Sequence, residues 1–263
     1  MTLLAQTVAA FLVQTLPAIT PLMTAEGGLR PETLGNLTSI TALETVVFLL
    51  AGGGLLARFG PVRTLQIGAL ALALATVIGA DGSVWALGVA ALLIGIGFAP
   101  AAPAGSQILA ETAPREHRTL IFSIKQAGAP LGSTFAGLLC APVSVWLGWR
   151  ATLLLAGCWP LRPCSPSSRS AGRSTSQTWP APDPAGGARH MLLDPLAALL
   201  LHPRLPPLVL LATALSTTQG CRFSFTVTWL VTDLGLGLVE AGGVFAAMQA
   251  AGVVARLDSF HTA

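Results

Sequence analysis

The single lysine of the chain, Lys125, stands inside an apolar run, Phe122-Ser-Ile-Lys-Gln-Ala-Gly-Ala-Pro-Leu-Gly132. An ammonium group at membrane depth carries a free-energy cost of several kcal/mol unless water or an anionic partner offsets it. A cation in such a place suits the recognition of an anionic solute. It also suits snorkelling, in which the flexible stem lets the charged head reach the headgroup level. Both readings stay open, because Lys125 falls only five or six residues, about 8–9 Å, from the start of its apolar segment. Glu44 is a carboxylate about seven residues, roughly 10 Å, into another apolar segment. It is suited to carry a proton or to partner a basic group.

The segments holding these residues must be membrane helices. Hydrophobic residues make up 53% of the chain and charged ones 10%, against about 25% charged in soluble domains. Mean hydropathy is +0.72, and apolar stretches of about twenty residues recur in series. The net charge of +3 does not point to nucleic acid, since the arginines are scattered between apolar runs. Cys140, Cys158, Cys164 and Cys221 have no CxxC spacing and read as small packing residues, with neither disulfide nor metal assigned. His117, His190, His202 and His261 form no ligand pattern, and no nucleotide-binding loop or nucleophile motif is present, so an enzyme is not expected and no cofactor is implied. A membrane-embedded enzyme or scaffold would need a convergent His, Asp or Glu cluster within the spans.

Seven or eight spans are expected, at about residues 3–23, 37–56, 64–80, 84–109, 120–143, from near 149 (the weakest of them), 205–231 and 238–254. Phe59-Gly-Pro61 and Asp81-Gly82 mark turns. Span one carries Gln6, Gln14 and Thr15 and is too long for a signal peptide, so it reads as retained. Arg58 and Arg63 lie between spans two and three, Arg115 and Arg118 between four and five, and Arg162, Arg169, Arg173, Arg189 and Arg204 after span six. The opposite loops are poor in positive charge, which predicts a cytoplasmic N-terminus. Residues 162–204 are Ser/Pro/Arg-rich, as an ordinary linker would be. A shifted reading frame within about 155–190 is the alternative, and the abrupt ending after span eight fits truncation.

The turn after span two, Gly53-Gly-Leu-Leu-Ala-Arg-Phe-Gly60, resembles the signature loop of the major facilitator superfamily, Gly-x-Leu-x-Asp-Arg-x-Gly followed by basic residues. Gly53, Leu55, Arg58 and Gly60 match; Ala57 replaces the acidic residue, and Pro61-Val62 precede Arg63. Gly128-Ala-Pro-Leu-Gly132 is similar to the Gly-Pro motif of that family's fifth helix, where glycines four apart admit a neighbouring helix and Pro130 permits a kink. Gly148-Trp-Arg150 and Ala251-Gly-Val-Val-Ala-Arg256 fit further positions of the pattern.

The resemblance implies an all-α membrane protein: a six-helix bundle over 1–161, a cytoplasmic linker over 162–204, and about two helices of a second half over 205–263. It implies a monomeric secondary transporter in the plasma membrane, with a small-molecule solute and the lipid bilayer as partners. The solute site would lie near mid-membrane between the halves. Carried over to this chain, substrate-binding candidates are Gln14, Gln107, Lys125, Gln126 and Arg222, with Thr15, Ser106 and Gln219 beside them. Glu44 is the proton-coupling candidate. Gly53, Arg58, Gly60 and Arg63 form the gating loop, with a plain positive-inside role for the arginines as the alternative. Gly128, Pro130 and Gly132 form the packing motif. Gln14, Ser106 and Gln107 equally suit bonds to neighbouring helices. A cyanate-transporter-like sub-type is suggested by the span-five string, and cationic Lys125 and Arg222 favour a small anionic solute. A non-transporting remnant of such a transporter is the alternative function.

Overall fold

The computed structural model describes residues 2–27, 30–51, 53–158 and 205–258, and all regular structure among them is helical. In chain order the helices are α1 (Thr2–Gly27), α2 (Pro31–Ala51), α3 (Gly53–Gly79), α4 (Val84–Phe98), α5 (Ala101–Thr112), α6 (Arg118–Phe135), α7 (Ala141–Leu147), α8 (Trp149–Cys158), α9 (Leu205–Thr232) and α10 (Leu238–Asp258). A π-helical turn, Ala136–Cys140, joins α6 to α7. Five stretches among the described residues are long and apolar enough to cross a membrane: Thr2–Glu26, Arg58–Gly79, Val84–Thr112, Leu120–Leu147 and Leu238–Ala255. Helices α2 and α9 have the length but carry more polar residues, including Asn36 and Glu44, and Gln219 and Arg222.

Local sequence explains where the helices start and stop. Ser83 caps α4, its side chain accepting from the Ala86 amide at 3.2 Å. Pro100 sits at the break between α4 and α5, and the glycine Gly148, at φ +82°, ends α7. The expected turn at Phe59-Gly-Pro61 is present as a break at Gly60, but α2 ends earlier than expected, at Ala51, and residues from Gly53 onward already form helix before that break. Gly60 alone leaves helical geometry (φ 75°, ψ 163°), where Pro61 offers no amide hydrogen to the ladder. Span two likewise starts earlier than expected, at Pro31, since proline at a first helical position leaves no amide unpaired and Glu32 suits the helix dipole. The expected linker at 162–204, the far part of span six, and the proposed frame shift fall outside the described residues, apart from 155–158 at the end of α8.

Helix α1 is the hub, packing against α6 on one side and α9 on another, with α3, α4, α5 and α8 behind it. Leu12, Ile19, Met23, Leu72, Leu87 and Leu153 form the core between these helices. A smaller cluster of Val227, Leu230, Ala241 and Phe245 joins α9 to α10. Outward faces remain apolar: Ile67, Leu70, Leu74 and Val77 make an exposed stripe along α3 at helical spacing. Soluble proteins rarely expose such a continuous stripe, whereas lipid covers it without cost.

Candidate functional site

A cavity of about 410 Å³ opens between α1, α2, α4, α6 and α9. Its walls are mainly apolar, with Val13 and Pro17 from α1, Ala91, Ile94 and Phe98 from α4, and Phe223 and Phe225 from α9. Hydroxyls and one amide punctuate them: Gln14 and Thr20, Thr38, Thr41 and Thr45, Ser133, Ser224 and Thr228. Thr38, Thr41 and Thr45 share one face of α2 by their i, i+3, i+7 spacing, and Ser224 and Thr228 share one face of α9.

Several of these hydroxyl protons are already committed. Thr41 Oγ1 donates to the carbonyls of Leu37 (3.1 Å) and, across the seam, Ala91 (3.2 Å). Thr45 donates to Thr41 O at 2.8 Å, Thr20 to Leu16 O at 2.9 Å, and Ser133 to Ala129 O at 3.2 Å. Buried Gln14 reaches across the cavity, its Nε2 donating to the carbonyl of Phe223. That bond ties α1 to α9.

Lys125 lies just beyond the end of this cavity nearest the start of α6. On α6, Ala129 and Ser133 line the cavity, and Lys125 is one turn, about 6 Å, before Ala129 on the same stripe. Its side chain is 2% exposed, and Nζ donates to Ala102 O (2.8 Å) and Ser106 Oγ (3.0 Å) on α5. Gly105 makes room for it: a Cβ there would meet Lys125 Cε at 2.8 Å. Ala102 is itself one turn below Phe98, a lining residue. Among the described residues no carboxylate lies within ion-pair distance of this ammonium; its two acceptors are neutral.

The other sequence candidates fall elsewhere. Glu44 is half-buried on the α2–α4 seam against Gly95, where a Cβ would meet Glu44 Cβ at 2.5 Å. Gln107 is half-buried on α5, and Gln126 and Arg222 are exposed on α6 and α9. Gly53 begins α3, and Arg58 and Arg63 are exposed about the Gly60 break, with the Arg58 guanidinium 5.6 Å from the Phe59 ring centre. Gly128 and Gly132 face α1: a Cβ on Gly132 would collide with Thr7 O, and one on Gly128 would meet Leu3 O at 3.0 Å. Pro130 is buried within α6, which continues through it.

Sequence reasoning missed the threonine face of α2, the Ser224–Thr228 pair and the three phenylalanines. The regular hydroxyl spacing in span two was the available signal. A second polar cluster sits at the opposite end of the molecule. There Arg150 stacks on Trp149 at 4.7 Å and donates to Asp81 O at 3.4 Å. Hydrogen bonds from Ser83, then the Arg150 charge, hold the Asp81 carboxyl below its ordinary value of 3.8.

The sequence profile described as Major Facilitator Superfamily matches residues 2–259. A gallate transporter of Pseudomonas putida is 29% identical over 144 residues, which is 54% of this chain and 32% of that protein. A 4-hydroxybenzoate transporter of Pseudomonas aeruginosa is 28% identical over 144 residues, again 54% and 32%. A probable sulfoacetate transporter of Cupriavidus necator is 29% identical over 138 residues, 52% of this chain and 32% of its length. The aligned region thus spans about a third of the length of these relatives.

Proposed function

The chain belongs to the major facilitator superfamily, a family of membrane transporters, and we propose that its cavity holds a small organic anion with an apolar body. The carrying observation is the pairing of an apolar, phenylalanine-bearing cavity with a buried, carboxylate-free ammonium one helical turn beyond that end of it. Charges about 6–10 Å apart, the rise from Lys125 to the Ala129–Gly132 level, attract by about 2–3 kcal/mol at an effective dielectric of about 20. That is enough to favour an anion over its neutral isostere. The relatives described as gallate, 4-hydroxybenzoate and sulfoacetate transporters support this solute class.

Movement of the solute would follow alternating access, with 1–161 as one helical half, 162–204 as the joining segment and 205–263 opening a second half. The chain would lie in the plasma membrane as a monomer with its N-terminus in the cytoplasm, and it would be a transporter and not an enzyme. Proton coupling through Glu44 would require that residue to lose its seat against Gly95. Arg58 and Arg63, at the Gly60 break, would gate the inner side.

The test is direct. The purified chain in lipid nanodiscs should bind benzoate saturably and bind benzamide far more weakly, and Lys125→Gln should abolish the difference. Equal binding of acid and amide by the native chain would sink the anion reading. A second reading, in which this chain binds solute without moving it, is supported by the exposure of α9 from Pro207 to Arg222. Benzoate binding without saturable uptake into proteoliposomes would favour that version.

A further inference from the structure

The α1–α9 wall of the cavity differs from the α2 wall in one respect. Several of its polar atoms, unlike the Thr41 and Thr45 hydroxyls of α2, make no hydrogen bond within the chain. Five of the six threonines on α9 donate to a carbonyl four residues back: Thr213, Thr217, Thr218, Thr226 and Thr232. Thr228 does not, and its buried Oγ1 has no hydrogen-bond partner. A buried hydroxyl without a partner is unfavourable, yet the ordinary bond to Ser224 O is within one rotamer step. Ser224, one turn below on the same face, also makes no side-chain hydrogen bond among the described residues and lines the cavity. Across from them Gln14 spends Nε2 on Phe223 O, while its Oε1 accepts nothing from the described residues.

We propose that Gln14, Ser224 and Thr228 form a hydroxyl-reading subsite, so that the solute is an organic anion bearing a hydroxyl group remote from its charge. Gln14 Oε1 accepts the solute O–H, and Ser224 or Thr228, after a turn about χ1, donates to the same oxygen. The rings of Phe223 and Phe225 flank the solute's apolar body. Spacing sets the hydroxyl end of such a solute at Gln14 and its carboxylate near the Gly132 level, about 10 Å along α6 from Lys125. Gly132 packs between Thr7 and Phe11 of α1, so Gln14 lies roughly 7–8 Å further along the membrane normal than Gly132. Ala129 and Ser133 bracket that level, above Lys125. A carboxylate there and a hydroxyl at Gln14 match the reach of a para-substituted benzene ring.

This subsite rests on the anion reading of the same cavity, and one experiment separates the two. The full chain in nanodiscs is titrated with 4-hydroxybenzoate and with benzoate, alongside Thr228→Val and the Ser224→Ala, Thr228→Val double variant. Both variants leave the Gln14 bond to α9 in place, and Thr228→Ser serves as the conservative control. The native chain should prefer the hydroxylated acid by about fivefold to tenfold, the scale of one or two hydrogen bonds. The double variant should bring the ratio near one, and Thr228→Ser should restore it. A native ratio near one, or a preference that survives in the double variant, overturns the subsite while leaving anion binding intact. Binding of neither acid by the native chain overturns both.

Discussion

Helix α1 meets α6 and α9 in different ways. Against α6 the contact is backbone to backbone: Gly128 and Gly132 admit α1 so closely that a Cβ at either would strike Leu3 or Thr7 carbonyl oxygens. Against α9 the link is a side-chain amide, Gln14 to Phe223 O, set beside a cavity and unspent hydroxyls. A seam closed by main-chain contact tolerates little sliding. The other seam is tied across the cavity by one side-chain hydrogen bond, worth about 1 kcal/mol. The first side of α1 therefore builds the bundle, and the second borders the cavity proposed for the solute.

That contrast can be broken by substitution. The largest effect is expected from Gly132→Val, which drives a branched side chain into Thr7 O and Phe11 N; overpacking of this kind costs about 3 kcal/mol or more. Loss of the monodisperse chain in detergent would be the readout, and a folded, fully stable variant would refute the tight seam. Next comes Lys125→Gln, expected to weaken benzoate binding by roughly ten- to hundredfold while leaving the thermal midpoint close to native. Gln14→Leu removes the α1–α9 bond and should lower stability by about 1 kcal/mol, far less than the glycine substitution. A Gln14→Leu loss equal to that of Gly132→Val would erase the distinction between the seams.

The smallest effect lies away from both seams, at Asp81. Its carboxyl is held low in the folded chain, so it stabilises the fold above about pH 3.8 and that contribution disappears as pH falls through the depressed folded value. Asp81→Asn should slightly flatten the acid limb of a thermal-midpoint profile. An unchanged acid limb would show that Ser83 and Arg150 do not hold the carboxylate in solution.

The fold class was legible because composition and run length leave a bilayer as the only solvent that suits these helices. Boundaries were less so: the Gly60-Pro61 break was legible, yet the end of α2 at Ala51 and the short helical stretch from Gly53 that precedes the break were not. Of the site candidates, polarity in an apolar helix singled out Gln14, which lines the cavity, and Lys125, which lies just beneath it. The same criterion singled out Gln126 and Arg222, which are exposed on α6 and α9. Sequence spacing gives the face of one helix but not which helix it meets. The hydroxyl wall escaped notice for a related reason: threonines in membrane helices usually bond their own backbone, and only the missing bond at Thr228 sets it apart.

The most direct test places the solute physically in the cavity. On a background with the four native cysteines replaced, Thr45→Cys in the cavity wall and Ser83→Cys in the turn between α3 and α4, away from the cavity, are alkylated by a membrane-permeant maleimide. Saturating benzoate should slow labelling at position 45 several-fold and leave position 83 unchanged. Equal labelling rates at position 45 with and without benzoate would contradict a solute site between α1, α2, α4 and α9.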